Sequence, residues 1–226
     1  MRRLKIGMLH GLYQNKSVFQ QKTKLLREGL PGGVDLVYFN GPQQVVPPIL
    51  RKGGVTRVNK RKPGVPESCE FRGWWDPSKS NNDIALDTTH LLKCVKNQLC
   101  PAPLDGLIGF SQGAALAALL CSNQARKVLD WSPAFVVVAS GYESLIPQHQ
   151  QFFQSGVDPA IQSLHIAGAL DRVVPAGKGL HLSQRFESAK FIKHDKGHHF
   201  PDSSRVLEQI TDFVEQLQRQ LGISCP

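Results

Sequence analysis

Short runs of apolar residues recur along the chain, and between most of them the apolar positions follow the spacing of helices. Runs of this length, bounded by polar or glycine-containing turns, are typical of buried strands. The pattern therefore predicts six strands, at residues 4–9, 34–39, 104–108, 135–139, 164–167 and 189–192.

Two stretches between those strands begin with helix-capping signals. Ser17, with Gln20 three residues later, matches a capping box that would open a helix reaching about residue 30. Asp83 is the expected cap of a second helix, which would run to residue 99.

The order of the elements predicts the fold class. A last helix is expected over residues 203–221, after the sixth strand. Alternating strands and helices indicate an α/β fold, in which a mainly parallel sheet is covered by helices on both faces. The 226 residues suit a single domain of this class. Functional residues are then expected at the carboxyl ends of the strands.

One of these strand ends carries the pattern G-x-S-x-G. Residues 109–113 read GFSQG, and they lie between the third strand and an alanine-rich stretch at residues 114–120 that predicts a helix. A serine at such a turn is held in a strained conformation that exposes its hydroxyl, and the flanking glycines let strand and helix approach closely. We predict Ser111 as a nucleophile, with an ordinary strand-to-helix turn as the alternative.

A serine nucleophile needs a histidine base and an acid that orients the histidine. In α/β-hydrolases the acid and then the histidine follow the serine along the chain. Asp171 lies just past the fifth strand, and His198 follows a glycine after the sixth strand. We predict these residues as the acid and the base, although Asp171 taken alone would suit an ordinary turn.

Three histidines lie close together in this last turn, at His194, His198 and His199. The three histidines could also be ordinary polar residues on the surface, or ligands of a metal ion. No cysteine, glutamate or further histidine stands nearby at a recognisable ligand spacing. We therefore predict neither a metal nor a cofactor.

The loop after the first strand is the expected source of an oxyanion hole. Residues 10–15 form a glycine-containing loop with backbone N–H groups available for binding. In hydrolases of this type one donor comes from this loop, and the other is the N–H of the residue after the nucleophile. We predict Leu12, with Tyr13 as the alternative, and Gln112; such a donor lowers the barrier by about 3 to 4 kcal/mol.

These features together resemble the FSH family of serine hydrolases. The order and spacing match from about residue 4 to about residue 215. The chain differs from the family in having Lys196 where a second glycine is common, and in having His199 directly after His198. The resemblance rests on His10-Gly11 with Gln14-Asn15, the turn at 109–113, Asp171 with Val173-Val174-Pro175, and Gly197-His198 with Pro201.

The resemblance implies a compact α/β-hydrolase fold and hydrolysis of carboxylic esters through an acyl-enzyme. Thioesters pass through the same intermediate, so thioesterase activity is the nearest alternative. Peptidase activity is less expected. A binding protein that keeps the fold without the chemistry is the alternative from another class. The expected partner is a small acyl ester or thioester, and nothing indicates the acyl chain, the leaving group or the oligomeric state.

The segment at residues 40–82 differs from the rest of the chain. It is rich in proline and glycine, contains a basic run at residues 57–62, and lacks clear periodicity, so a long loop is expected. Long loops inside compact domains are usually functional or disordered. It is either a lid over the strand ends, with Trp74 and Trp75 forming part of an acyl pocket, or a solvated insertion that the tryptophans anchor. Tyr13, in the loop after the first strand, is also expected to contact substrate.

Net charge and cysteine content add limits on partners and location. The net charge of +9 suggests nucleic acid or anionic membranes, but no recognisable nucleic-acid-binding motif is present. We expect no nucleic-acid partner. Residues 6–9 are too short for a signal core, and no stretch has transmembrane length. The five cysteines lack metal or redox spacing. Together these features predict a cytoplasmic location with reduced thiols, the nucleus remaining open.

Overall fold

A central parallel sheet organises the protein. The computed structural model describes residues 2–50, 56–58, 70–79, 81–99 and 104–223. Its strands are β1 (Leu4–Leu9), β2 (Val34–Phe39), β3 (Gln43–Gln44), β4 (Pro48–Leu50), β5 (Thr56–Val58), β6 (Arg72–Gly73), β7 (Gly106–Phe110), β8 (Phe135–Ala139), β9 (Gln162–Gly168) and β10 (Ser188–His194). Six of them form the sheet in the order β10-β9-β8-β7-β1-β2, and each neighbouring pair is parallel.

Helices cover both faces of this sheet. They are α1 (Lys16–Lys22), α2 (Lys24–Gly29), α3 (Asn81–Leu99), α4 (Gln112–Leu120), α5 (Asn123–Leu129), α6 (Pro147–Gln154), α7 (Ala176–Ser183) and α8 (Ser204–Gln220). The buried residues of α1, α2 and α8 pack on one face, and those of α3 to α7 pack on the other. The predicted α/β fold, with six parallel strands between helical layers, is confirmed.

Alternation along the strands divides the apolar residues into two cores. On β8, Val136 and Val138 face the core under α4, whereas Phe135 and Val137 face the core under α8. Successive strand side chains point to opposite faces, so a strand buried on both sides is apolar throughout. Helix α4 is likewise buried along its whole length, which its small alanine side chains allow.

The strand order reverses between β1 and β7. The chain moves from β1 outward to β2, and later returns to place β7 on the other side of β1. The loops that leave β1 and β7 at their carboxyl ends therefore diverge and open a crevice. The residues after Leu9 and the turn that contains Ser111 both lie at this point.

The predicted start of the first helix is wrong. Asn15 caps α1, because its side-chain oxygen accepts a hydrogen bond of 2.9 Å from the Val18 N–H. Ser17 consequently lies inside the first turn. The Asn15 amide also donates to the Glu70 carbonyl at 2.8 Å, a contact across the molecule that a local pattern cannot reveal. The single helix predicted to residue 30 is interrupted at Thr23, where α1 ends and α2 begins.

The second predicted cap is also wrong. Helix α3 already includes Asn81, so Asp83 lies within the helix and does not cap it. The last helix agrees with its prediction, since Ser203 is the N-cap of α8 and Leu221 its C-cap. These differences change helix ends and leave the architecture as predicted.

The segment at residues 40–82 contains more regular structure than the predicted long loop. In its described part, β3 pairs with β6 and β4 pairs with β5, both antiparallel. Most of the basic run at residues 57–62 lies outside the described residues.

Two further observations bear on location. Among the described helices, none is long and apolar enough to cross a membrane. Of the cysteines, the described ones are Cys94 and Cys121, and both are unpaired thiols.

Candidate active site

Ser111 stands at the sharp turn between β7 and α4. Its backbone has φ 53° and ψ −117°, a combination that a serine rarely adopts and that is typical of functional turns. A side chain at Gly109 would lie 2.5 Å from the carbonyl oxygen of Gly113, and one at Gly113 would collide with the backbone of Leu9. Only glycines fit at both positions, so the sequence makes this tight turn possible.

The structure brings the three predicted catalytic residues together. The His198 Nε2 atom lies 3.0 Å from the Ser111 hydroxyl, and its Nδ1 atom lies 2.7 Å from a carboxylate oxygen of Asp171. The three residues come from the turns after β7, β9 and β10. They are separated by up to 87 positions in sequence and form one continuous line of hydrogen bonds.

Asp171 is held as a carboxylate by the turn in which it lies. One of its oxygens accepts hydrogen bonds from the backbone N–H groups of Val173 and Val174, at 2.9 and 2.8 Å, while the other faces His198. Burial alone would raise the pKa of Asp171, but the Val174 hydrogen bond and the contact with His198 outweigh burial and lower the pKa below its ordinary value. The charged form therefore persists at neutral pH, as an orienting acid requires.

The neighbouring histidines occupy different surroundings. The His198 ring lies 5.0 Å from the ring of Phe110, which helps to fix its orientation toward Ser111. The His199 ring instead approaches His194 at 5.4 Å, and its Nδ1 contacts the Phe200 carbonyl. Within the described residues, no group of histidine, cysteine and acidic side chains is arranged to hold a metal ion.

The predicted oxyanion loop lies against Ser111. Gly11 packs so closely that a side chain there would lie 3.4 Å from Ser111 Cβ. Residues 11–14 form a turn in which the Gln14 N–H bonds to the Gly11 carbonyl, and Tyr13 has φ 61°. That bond uses the Gln14 donor and leaves the N–H groups of Leu12 and Tyr13 as candidates. The Gln112 N–H lies at the first residue of α4, directly after Ser111.

The side chain of Gln112 has a role that the sequence did not reveal. Its oxygen accepts a hydrogen bond of 2.9 Å from the Trp74 N–H, and its nitrogen donates to the Trp75 carbonyl at 2.8 Å. Both partners are backbone groups, so residue identity at positions 74 and 75 gives no signal for this contact. The segment at residues 70–75 is thus joined to the residue that follows Ser111.

His10 is a second residue whose role the sequence did not reveal. It is buried, accepts the Gly41 N–H at Nε2 over 2.9 Å, and has Nδ1 2.8 Å from the Gly11 carbonyl. Burial lowers the pKa of His10 to about 4, so the ring is neutral at physiological pH. The signal was its place at the end of β1, where parallel sheets carry functional residues.

The predicted substrate-contacting residues lie in different places. Ser111, His198, Leu12, Tyr13 and Gln112 line a cavity of about 300 Å³. A second cavity, of about 800 Å³, is lined in part by Trp75 and shares Tyr142 and Lys178 with the first.

Trp74 lines neither of these two cavities. It is buried, and its indole N–H donates to the His10 carbonyl at 2.8 Å. The structure therefore places Trp75 at the second cavity and Trp74 against the loop after β1.

Solved structures share this fold. The chain superimposes on maize acyl-protein thioesterase 2 with a TM-score of 0.62 and 21% identity, covering 96% of this chain and 94% of that one. Esterase PE8 gives a TM-score of 0.61 at 15% identity, with 95% and 93% covered. At these identities the likeness concerns the fold, and it confirms the α/β-hydrolase architecture.

Two relatives found by sequence have higher identity to this chain than these two solved structures. Esterase OVCA2 of Danio rerio is 33% identical over 225 residues, which cover 95% of this chain and 98% of that protein. Esterase OVCA2 of Homo sapiens is 31% identical over 228 residues, covering 95% and 97%. The family model described as serine hydrolase (FSH1) matches residues 1–210. The predicted enzyme class is confirmed, and the chain belongs to the FSH1 family of serine hydrolases.

Proposed function

We propose that this enzyme hydrolyses carboxylic esters through an acyl-enzyme formed on Ser111. The observation that carries the proposal is the line of hydrogen bonds from Asp171 through His198 to the Ser111 hydroxyl. A non-catalytic binding protein would have no need of a strained serine, a paired imidazole and a buried carboxylate in one line. The names of the OVCA2 relatives as esterases support the same reaction.

In the first half of the reaction Ser111 Oγ attacks the ester carbonyl carbon. Neutral His198 takes the hydroxyl proton at Nε2 as the new C–O bond forms. Asp171 holds the ring through Nδ1 and stabilises the imidazolium. His198 then returns the proton to the departing alcohol oxygen, which leaves the acyl group on Ser111.

The negative charge that develops on the carbonyl oxygen needs donors already in place. We assign the Gln112 N–H as one donor, because it follows the nucleophile at the start of α4. We assign the Leu12 N–H as the other, with the Tyr13 N–H as the alternative in the same turn. Fixed donors of this kind require no reorganisation as the charge forms.

Water completes the cycle. A water molecule gives a proton to His198 Nε2 and attacks the acyl carbon, and the proton then returns to Ser111 as the carboxylic acid leaves. An acyl thioester would form the same acyl-enzyme with a thiol as the departing group. Thioester hydrolysis is therefore the alternative. A comparison of kcat/KM for esters and for the matching thioesters distinguishes the two.

We further propose that the chain forms one domain and that the described part of residues 40–82 covers one side of the site. The support is the pair of hydrogen bonds that joins Gln112 to the backbone at Trp74 and Trp75. In this account Trp75 and Tyr13 contact substrate, whereas Trp74 supports the oxyanion loop from below. The cytoplasmic location and the lack of a nucleic-acid partner stay predictions.

The test is a kinetic comparison of acetyl to octanoyl p-nitrophenyl esters with the matching acyl thioesters. Ser111→Ala should lower kcat by about five to six orders of magnitude while circular dichroism stays unchanged. Ser204→Ala, at the exposed start of α8, is the matched control and should retain wild-type activity. Turnover by Ser111→Ala within tenfold of wild type would refute the assignment. A higher kcat/KM for thioesters across the series would favour the alternative.

A further inference from the structure

The cavity beside Ser111 and the larger cavity are neighbours. Tyr142 and Lys178 line both of them. On the proposed function, the reacting carbonyl occupies the smaller cavity beside Ser111. The larger cavity is then available to a part of the substrate that does not react.

The lining of the larger cavity includes both apolar and charged side chains. Trp75, Leu145 and Ile146 supply apolar surface, and Leu145 is 78% exposed. Helix α7 supplies Lys178 and His181, which lie three positions apart and therefore on one helix face. A ligand that fills this space needs an apolar body and a polar or charged end.

The larger cavity is lined by one acidic side chain and by more than one basic side chain. The carboxylate of Glu143 accepts two hydrogen bonds from Arg185, at 2.9 and 3.0 Å, and lies 3.7 Å from His181 Nε2. Glu143 is the acidic residue among those lining the cavity. Lys178 makes no ion pair with any residue in the described ranges; it is exposed and lines both cavities.

We propose that the larger cavity binds an anionic group of the ester substrate, with Lys178 as its counter-charge. This rests on the proposed function and adds the substrate class: an ester with an apolar body that ends in a carboxylate or a similar anion. Charged side chains at the mouth of a cleft also raise the local concentration of oppositely charged ligands, an effect that salt weakens. Lys178 is on this account a specificity-determining residue.

The experiment measures a preference ratio, defined as kcat/KM for an anionic ester divided by kcat/KM for its neutral counterpart. The first pair is mono-p-nitrophenyl suberate and its methyl ester, in which the acyl group carries the charge. The second pair is the acetyl ester of para-hydroxybenzoic acid and its methyl ester, in which the alcohol carries the charge. The pair with the higher ratio shows which half of the substrate reaches Lys178.

In wild type at low ionic strength, at least one pair should give a ratio of about three to ten, as expected for a partly exposed charge pair. Lys178→Met keeps the aliphatic stem and should bring that ratio to about one, whereas Lys178→Glu should invert it. Lys178→Arg should restore the preference. Added salt should lower the ratio in wild type and leave it unchanged in Lys178→Met.

Lys127→Met is the matched control, because it removes one exposed cation of α5 outside both cavities. It should keep the wild-type ratio. A ratio of one or less in wild type for both pairs, or an unchanged ratio in Lys178→Met, would overturn the proposal. Hydrolysis of the neutral esters tests the proposed function separately. If wild type does not hydrolyse them, the proposed acyl-enzyme reaction is contradicted as well as the anion site.

Discussion

The turns that carry Ser111, Asp171 and His198 follow parallel strands of the central sheet directly, whereas residues 70–75 reach the same site from a segment outside that sheet. Ser111, His198 and Asp171 contact one another through their side chains, and the proposed reaction requires these residue types. Residues 70–75 contact Gln112 through backbone atoms, which any residue possesses. The comparison shows that residues proposed to react can be recognised from their type and position in the sequence. Contacts made to backbone atoms near them cannot, because every residue has those atoms.

Asp171→Asn should show whether Asp171 orients His198 or only fills space in its turn. It is expected to have a larger effect than changes at Gln112 or His10. An amide can still occupy the space and face Val173 and Val174, but it favours the wrong tautomer of His198. We expect kcat to fall by roughly 10⁴ with little change in the unfolding midpoint in urea. Activity within tenfold of wild type would mean that Asp171 is an ordinary turn residue.

Gln112→Ala tests the part that lies outside the sheet. The change leaves the Trp74 N–H and the Trp75 carbonyl buried without a partner, and each such group costs about 1 to 3 kcal/mol. We expect the free energy of unfolding to fall by about 2 to 4 kcal/mol in urea titrations. Hydrogen exchange at the Trp74 amide should also become faster.

Gln20→Ala is the control for that change, because Gln20 is an exposed glutamine on α1. It should leave both the unfolding free energy and the Trp74 exchange rate unchanged. Equal losses in the two variants would mean that Gln112 does not hold residues 74–75 in place.

The sequence predicted the fold, and it placed the three proposed reacting residues at strand ends that the structure brings together, because both depend on local chain order. Six apolar runs specify the sheet, and the turns at their carboxyl ends specify Ser111, Asp171 and His198. The sequence did not predict Asn15 as a cap, since its amide is also fixed by the Glu70 carbonyl, 55 positions away. The attachment of residues 74–75 to Gln112 was equally hidden, because the Gln112 side chain bonds there to backbone groups, which any residue possesses.

The smallest expected effect concerns His10, where the oxyanion loop meets the segment after β2. Burial lowers the pKa of His10 to about 4, so the unfolded chain binds this proton more readily than the folded chain. Its contribution to stability is present above about pH 6.5 and is lost as the pH falls toward about 4. Removing the titrating ring in His10→Asn should reduce the slope of unfolding free energy against pH by up to about 1.4 kcal/mol per unit in this window.

The check is a series of urea titrations from pH 7.5 to pH 4.5 on wild type and His10→Asn. The two curves should run closest to parallel above the window, and within it the wild-type curve should fall more steeply with decreasing pH. Identical slopes throughout would mean that protonation of His10 is not linked to unfolding, and that the contact with the Gly41 N–H survives acidification.

Covalent labelling tests the central claim, an activated serine at position 111, most directly. A fluorophosphonate probe should modify the wild-type chain at a single site, and peptide mapping by mass spectrometry should place the adduct on Ser111. Labelling should be lost in Ser111→Ala, slowed in Asp171→Asn and unchanged in Ser204→Ala. An adduct on another residue, or labelling of Ser111→Ala at the wild-type rate, would contradict the account.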